Sequence, residues 1–304
     1  MNANKCKALL ICLITVFLGG CSSESNEEDP IPPTPPVVQK VPISLNCGLS
    51  AATRATDTGY DSGDRIGLYV VNYNGSTPGT LLQNGNHVDN MRFTYDGTWT
   101  SASTIYWKDE NTPADFYCYY PYGTPTDITA HTFSVQADQS TSSAYKASEF
   151  LYGKATKVSP TEKAVNIMTY HSFSCALIKI AAGNGFTEES LAAANVSVKL
   201  NECKTNAIIN LKDGTVKADG ETTTILPLKE EKQYKALVVP QTVKTDNFIT
   251  VTVDGRDYNL KKEFTFMGGK RHTFTVTVSK TSNGINVGIG DWEEDGNDNG
   301  GTAE

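Results

Sequence analysis

The sequence predicts an all-β chain arranged as two tandem β-sandwich domains with few short helices. Three observations carry this. Apolar residues alternate with polar ones at period two along many short stretches, Asp-Gly and Asn-Gly pairs stand between such stretches, and helical patterning is scarce. Short strands joined by Gly-rich hairpins favour packed antiparallel layers over a helix-covered parallel sheet.

The first element is a leader. Lys5 and Lys7 precede an 11-residue apolar run at 8–18, shorter than the roughly 20 residues a membrane-spanning helix needs, so residues 1–20 read as an export signal. Leu18-Gly19-Gly20-Cys21 resembles the lipobox of bacterial lipoproteins, in which small residues admit the signal peptidase and the Cys21 sulfur takes the lipid. Residues 21–41 follow as a tether: an acidic patch, then five Pro within residues 30–36, a composition that stays extended. The acidic residues after Cys21 also resemble surface-export signals of Bacteroidales lipoproteins. With Cys6 and Cys12 lost in the leader, four thiols remain, at Cys47, Cys118, Cys175 and Cys203. Buried thiols are the plain reading, and one disulfide stays open because an exported protein permits it.

From residue 42 the pattern is β. Ile43, Leu45, Cys47 and Leu49 share one face of the first strand; Ile66, Leu68 and Val70 share another, as do Phe274, Val276 and Val278. Asp254-Gly255 as a two-residue loop sets Val253 opposite Arg256, Val251 opposite Tyr258 and Ile249 opposite Leu260. Asp213-Gly214 likewise sets Leu211 opposite Val216, and Asn283-Gly284 sets Val278 opposite Ile289. A three-residue loop ending at a left-handed Gly97 sets Phe93 opposite Trp99. Short helices are expected over 187–194, with Thr187 or a neighbour as cap and early Glu residues favouring the dipole, and within 142–151. The polar stretch 154–163 marks the domain boundary, giving an N-terminal domain at 42–160, a C-terminal domain at 161–292 and an acidic Gly-rich tail at 293–304.

The 304 residues carry 26 Lys+Arg against 34 Asp+Glu, a net charge of -8, with no concentrated basic surface, so nucleic acid is excluded as a main partner. Four scattered His and no CxxC pair leave no metal site, and no cofactor or catalytic group is expected. Ser143-Ala144-Tyr145-Lys146 matches SxxK but lacks a companion KTG, and nothing in the sequence near His171-Ser172 supplies a base and an oriented carboxylate. Asp295, Asn297 and Asn299 begin like a calcium loop but lack its closing Glu. The aromatic run Trp99, Tyr106, Trp107, Phe116, Tyr117, Tyr119, Tyr120 and Tyr122 fits a sandwich core, with a sugar-stacking groove as the rival reading.

Several segments together resemble the Bacteroidales fimbrillin family, including its Mfa-like members. They are the lipobox at Cys21, Ala52-Thr53-Arg54-Ala55-Thr56, Gly63-Asp64-Arg65-Ile66-Gly67-Leu68-Tyr69-Val70 and Ile105-Tyr106-Trp107. Further on stand Asp115-Phe116-Tyr117-Cys118-Tyr119-Tyr120-Pro121-Tyr122, Phe150-Leu151-Tyr152-Gly153 and Val287-Gly288-Ile289-Gly290-Asp291-Trp292. The resemblance implies transthyretin-like sandwiches and a subunit of a type V pilus at the outer membrane and cell surface, matured from a lipoprotein precursor. It implies cleavage between Arg54 and Ala55 by an Arg-specific protease, which would remove the strand of Ile43, Leu45, Cys47 and Leu49. A neighbouring subunit's strand would then fill the groove by main-chain pairing, with Ile285, Val287 and Ile289 as the candidate donor. The expected partners are therefore other pilus subunits, and the membrane through the lipid before processing. The rival function is a tethered monomer that binds a host glycan or protein through aromatic loops.

Overall fold

A computed structural model of the protein describes residues 40–50, 59–281 and 284–289, those from 281 onward by their backbone alone. In chain order the strands of the first half are β1 (Leu45–Leu49), β2 (Arg65–Asn72), β3 (Val88–Tyr95), β4 (Trp99–Ser101), β5 (Ala114–Tyr120), β6 (His131–Ser134), β7 (Leu151–Val158) and β8 (Val165–His171). The second half has β9 (Ser174–Ala182), β10 (Val196–Asn210), β11 (Thr215–Ile225), β12 (Leu228–Glu230), β13 (Gln233–Val238), β14 (Gln241–Val253), β15 (Arg256–Phe266), β16 (Arg271–Thr281) and β17 (Gly284–Ile289). The helices are α1 (Ser142–Ala147) and α2 (Glu188–Ala193). Thr187 caps α2 in a reciprocal capping box with Ser190, as the expected cap position requires.

Three sheets result. The first has seven strands in the order β1-β8-β7-β5-β2-β3-β4, with β1 parallel to β8. The second runs β11-β10-β14-β15 with β6 added to β10, and the third runs β12-β13-β9-β16-β17 with β9 parallel to β16. The fold is all-β and sandwich-like, as the alternation predicts.

β2 and β5 bury both faces, which is why their sequences read as continuous apolar runs. On one face Ile66, Leu68, Phe116 and Cys118 join a core enclosed by the first sheet alone. On the other, Tyr69, Tyr117 and Tyr119 join the larger core between the second and third sheets. The first sheet is thus a wall shared by two cores.

The strands do not divide at the expected boundary of 160/161. β7 runs through the polar stretch to Val158, β8 pairs with β1 and β7 in the first sheet, and β6 pairs with β10 in the second.

One turn has the expected register. Asp254 and Gly255 both take positive φ, 47° and 82°, and Val253, Val251 and Ile249 face Arg256, Tyr258 and Leu260. The other three turns are shifted by two residues. Tyr95 rather than Phe93 faces Trp99, and their rings pack 5.1 Å apart. Ile209 rather than Leu211 faces Val216, because Leu211 leaves the ladder for the core and donates its N–H to Ile128 O at 2.7 Å. Val287 rather than Ile289 faces Val278, with Gly284 inside the ladder opposite Thr281.

Candidate functional site

The first strand and the cleft it fills form the candidate site. Alternation sends Ile43, Leu45 and Cys47 inward, each under a tenth exposed, against Trp99, Trp107, Phe116, Cys118, Val165 and Ile167. Leu49 is half-buried at the end of the strand. Burying each Ile or Leu side chain contributes about 1.5–3 kcal/mol.

Only β8 pairs with β1 along its length, since β1 is the end strand of its sheet. Flanking contacts supplement that ladder. Ile43 N donates to Ile105 O and Trp107 N to Val41 O, both at 2.9 Å, so residues 105–107 hold the approach to the strand. The sheet curls until its other end strand, β4, meets β1: the Trp99 indole Nε1 donates to Cys47 O at 2.9 Å. Thr169 Oγ1 donates to Gly48 O at 3.0 Å and bonds the Tyr60 hydroxyl at 2.7 Å. Sequence patterning finds the strand but misses these fasteners, because they lie 50 to 120 positions away and carry no periodic signal.

Two thiols meet inside this core. Cys47 Sγ on β1 lies 3.8 Å from Cys118 Sγ on β5, and the Tyr60 hydroxyl lies 3.8 Å from Cys47 Sγ. The hydrogen bond from Cys118 holds the Cys47 thiol below its ordinary range, while the same bond and burial push Cys118 up. All four cysteines among the described residues are thiols.

A cleft of about 480 Å³ opens where β1 ends, lined by Leu49, Tyr60, Asp64, Lys146, His171 and Lys235 among others. Its basic side chains each meet a carboxylate. Lys146 pairs with Asp61 and Asp64, His171 Nδ1 lies 2.9 Å from Glu149, and Lys235 lies 2.8 Å from Glu230. The lysine of the SxxK match, Lys146, is therefore engaged by two carboxylates. The carboxylate beside His171, which the local sequence does not suggest, comes from the end of the turn after α1.

The aromatic run is mostly interior. Trp99, Trp107, Phe116, Tyr117, Tyr119 and Tyr120 are buried, Tyr122 is half-buried, and Tyr106 is 41% exposed. Ile285, Val287 and Ile289 lie in β17, paired antiparallel with β16 at the end of the third sheet. Cys21, Arg54 and Ala55 lie outside the described residues.

The sequence from residue 53 to 292 matches a family model described as fimbrillin-like. The chain belongs to the fimbrillin-like family. This fimbrillin-like chain is 29% identical over 303 residues to a candidate fimbrium subunit named Fim1C from Bacteroides uniformis, covering 94% of this chain and 95% of the relative. A shorter match, 27% identical over 168 residues, covers 49% of the chain and 30% of a candidate fimbrium tip subunit from Bacteroides ovatus. Among solved structures, a candidate cell adhesion protein from B. ovatus superposes with a TM-score of 0.65 at 17% identity, covering 84% of this chain and 98% of that one. Another from B. uniformis gives 0.59 at 24% identity, covering 84% and 99%. These likenesses show a shared fold. The fimbrillin-like family is one of fimbrial structural subunits rather than of enzymes.

Proposed function

We propose that this fimbrillin-like protein is a fimbrium subunit on the cell surface that assembles by exchanging its first strand for a strand of a neighbouring subunit. It is exported as a lipoprotein anchored at the outer membrane through Cys21 and is cut between Arg54 and Ala55. The observation that carries the reading is the state of β1: an end strand with one ladder neighbour, its apolar side chains seated in a cleft lined by other strands of the same sheet. Removing it leaves the β8 edge unpaired and the Trp99, Trp107 and Phe116 surfaces wet, a site whose backbone groups accept any extended chain and whose pockets select its alternate side chains.

The candidate donor is the C-terminal strand of Ile285, Val287 and Ile289 from another copy or another pilus subunit. It too is an end strand, held by β16 alone in its sheet, so its departure breaks one ladder. N-terminal sequencing of assembled surface material tests the processing. Material beginning at Ala55 supports the reading, and an intact acylated Cys21 throughout the assembled fraction overturns it.

A further inference from the structure

We propose that Cys47 and Cys118 are the two halves of a reversible disulfide that fastens the first strand to the centre of its sheet. The inference rests on the reading of β1 as a releasable strand and adds a redox control to it.

The placement is the argument. Cys47 lies on the end strand β1 and Cys118 on β5, which is paired on both sides, so β8 and β7 separate their backbones within the sheet. The curl of the sheet nevertheless brings the two sulfurs to 3.8 Å across the core. Closing that gap to the roughly 2.05 Å of a disulfide asks for less than two ångströms of approach. The Tyr60 hydroxyl, 3.8 Å from Cys47 Sγ, keeps its shorter bond to Thr169 Oγ1 at 2.7 Å when Cys47 turns to Cys118. Cys203, by comparison, spends its thiol on Asn201 O at 3.5 Å.

The chemistry is thiol–disulfide exchange. The Cys47 thiolate attacks a sulfur of an external disulfide, either a protein dithiol oxidant or a small molecule such as oxidised glutathione, and expels one thiol. Cys118 then gives up its proton and attacks the mixed disulfide at the Cys47 sulfur, expelling the second thiol. Two protein thiols are oxidised and one external disulfide is reduced to two thiols. The more acidic of the pair is on the strand that moves, the arrangement that lets the first attack occur there. Both cysteines are buried, at 5% and 1% exposure, so exchange takes place while β1 is docking or lifted rather than on the closed sheet. Once formed, the bond ties residues 21–54 to β5 whatever happens to the peptide bond after Arg54. Reduction frees them.

The test uses the full exported chain purified in detergent, incubated with oxidised glutathione during refolding or with dithiothreitol, then cut by limited digestion with an arginine-specific protease. The expected oxidised product has lost the mass of two hydrogens and yields one cross-linked peptide pair joining Cys47 to Cys118. Its N-terminal piece co-elutes with the body in gel filtration together with an excess of a peptide spanning residues 283–292. The same piece leaves when dithiothreitol is added, and it leaves in either condition from a Cys118→Ala chain. Full alkylation of both cysteines after oxidation, a stable glutathione adduct in place of the cross-link, or release of the piece from cross-linked chain overturns the disulfide latch. A mapped cross-link with the piece retained in both redox states leaves the disulfide standing and overturns instead the releasable strand on which the latch depends.

Discussion

β1 and β5 belong to one sheet and are both apolar where they are buried, yet the molecule holds them in different ways. β5 is bonded by β2 on one side and β7 on the other and buries all seven of its residues, Tyr117 and Tyr119 against one core and Ala114, Phe116, Cys118 and Tyr120 against the other. β1 is bonded in the sheet by β8 alone, buries one face, and is otherwise fastened by scattered bonds from Trp99, Thr169 and residues 105–107. Strand character and hydrophobicity are therefore poor guides to permanence. What separates the two is the number of ladders and faces that must be broken at once. Taking out β5 would break the sheet in two; taking out β1 uncovers one edge and one cleft.

Deleting residues 1–54 is the largest test of that contrast. The shortened chain is expected to keep a single cooperative unfolding transition in urea while losing about 3–6 kcal/mol, the burial of Ile43 and Leu45. A strand-length apolar peptide should return part of the loss. If the deletion abolished cooperative unfolding, β1 would be as integral as β5. Next in size is Phe116→Ala, fully buried in β5 and edge-to-face with Trp107 at 5.5 Å. It should cost about 3–5 kcal/mol in the full chain and less in the shortened chain, where the loss of β1 already leaves part of the Phe116 ring wet.

Trp107→Ala sharpens the same contrast from the wall of the cleft. Trp107 is 3% exposed and its indole donates to Thr161 O at 3.0 Å. Its truncation should cost about 3 kcal/mol and leave any saccharide binding on a glycan array unchanged. Saturable binding lost in this variant at unchanged stability would instead revive a sugar-stacking role for the aromatic run.

How much of this was legible in the sequence follows from what period-two patterning contains. It fixes which face a residue occupies, so β1, β16 and their inward residues were readable, as was the Ile66, Leu68 and Val70 face of β2, while the burial of Tyr69 and Val71 on its other face was not. It does not fix register, because sliding a strand by two residues keeps every side chain on its face. The Asp96-Gly97, Asp213-Gly214 and Asn283-Gly284 turns each differ from expectation by that interval. Asp254-Gly255 was readable because a two-residue loop with both φ positive admits one register. The polar stretch at 154–163 misled for a related reason. β7 has exposed positions along its second half, so an exposed strand looked like a linker. The meeting of Cys47 with Cys118 depends on the curl of the whole sheet and left no local trace.

A smaller effect probes the loop between β14 and β15, where local sequence alone decides the structure. An added Cβ on Gly255 meets nothing within 4 Å, so Gly255→Ala isolates the backbone cost of a left-handed residue at φ 82°. We expect a loss of about 1 kcal/mol by urea unfolding, independent of whether residues 1–54 are present. Dependence on them would mean that the two ends of the chain are coupled more tightly than the ladders indicate.

The last effect, read as a slope rather than as a loss at one pH, contrasts the thiol of β10 with the pair that joins β1 to β5. Burial, with repulsion from Glu202 as a lesser contribution, pushes the Cys203 thiol from its ordinary 9.0 up to about 12. The folded chain therefore holds this proton more tightly than the unfolded chain does. Its contribution to stability is complete below pH 9 and is lost progressively as pH rises through the window from about 9 to about 12. In Cys203→Ala that part of the alkaline loss is absent. Urea midpoints measured from pH 8.5 upward (an approximate starting point just below the thiol's ordinary value) should fall less steeply for the variant than for the parent. Tyr69, raised from 10.0 to about 12 by burial, loses stability over the upper part of that range in both chains and cancels in the comparison. Parallel slopes would place water at Cys203 in the folded state, and the second core would then be looser at β10 than the first core is at its own edge.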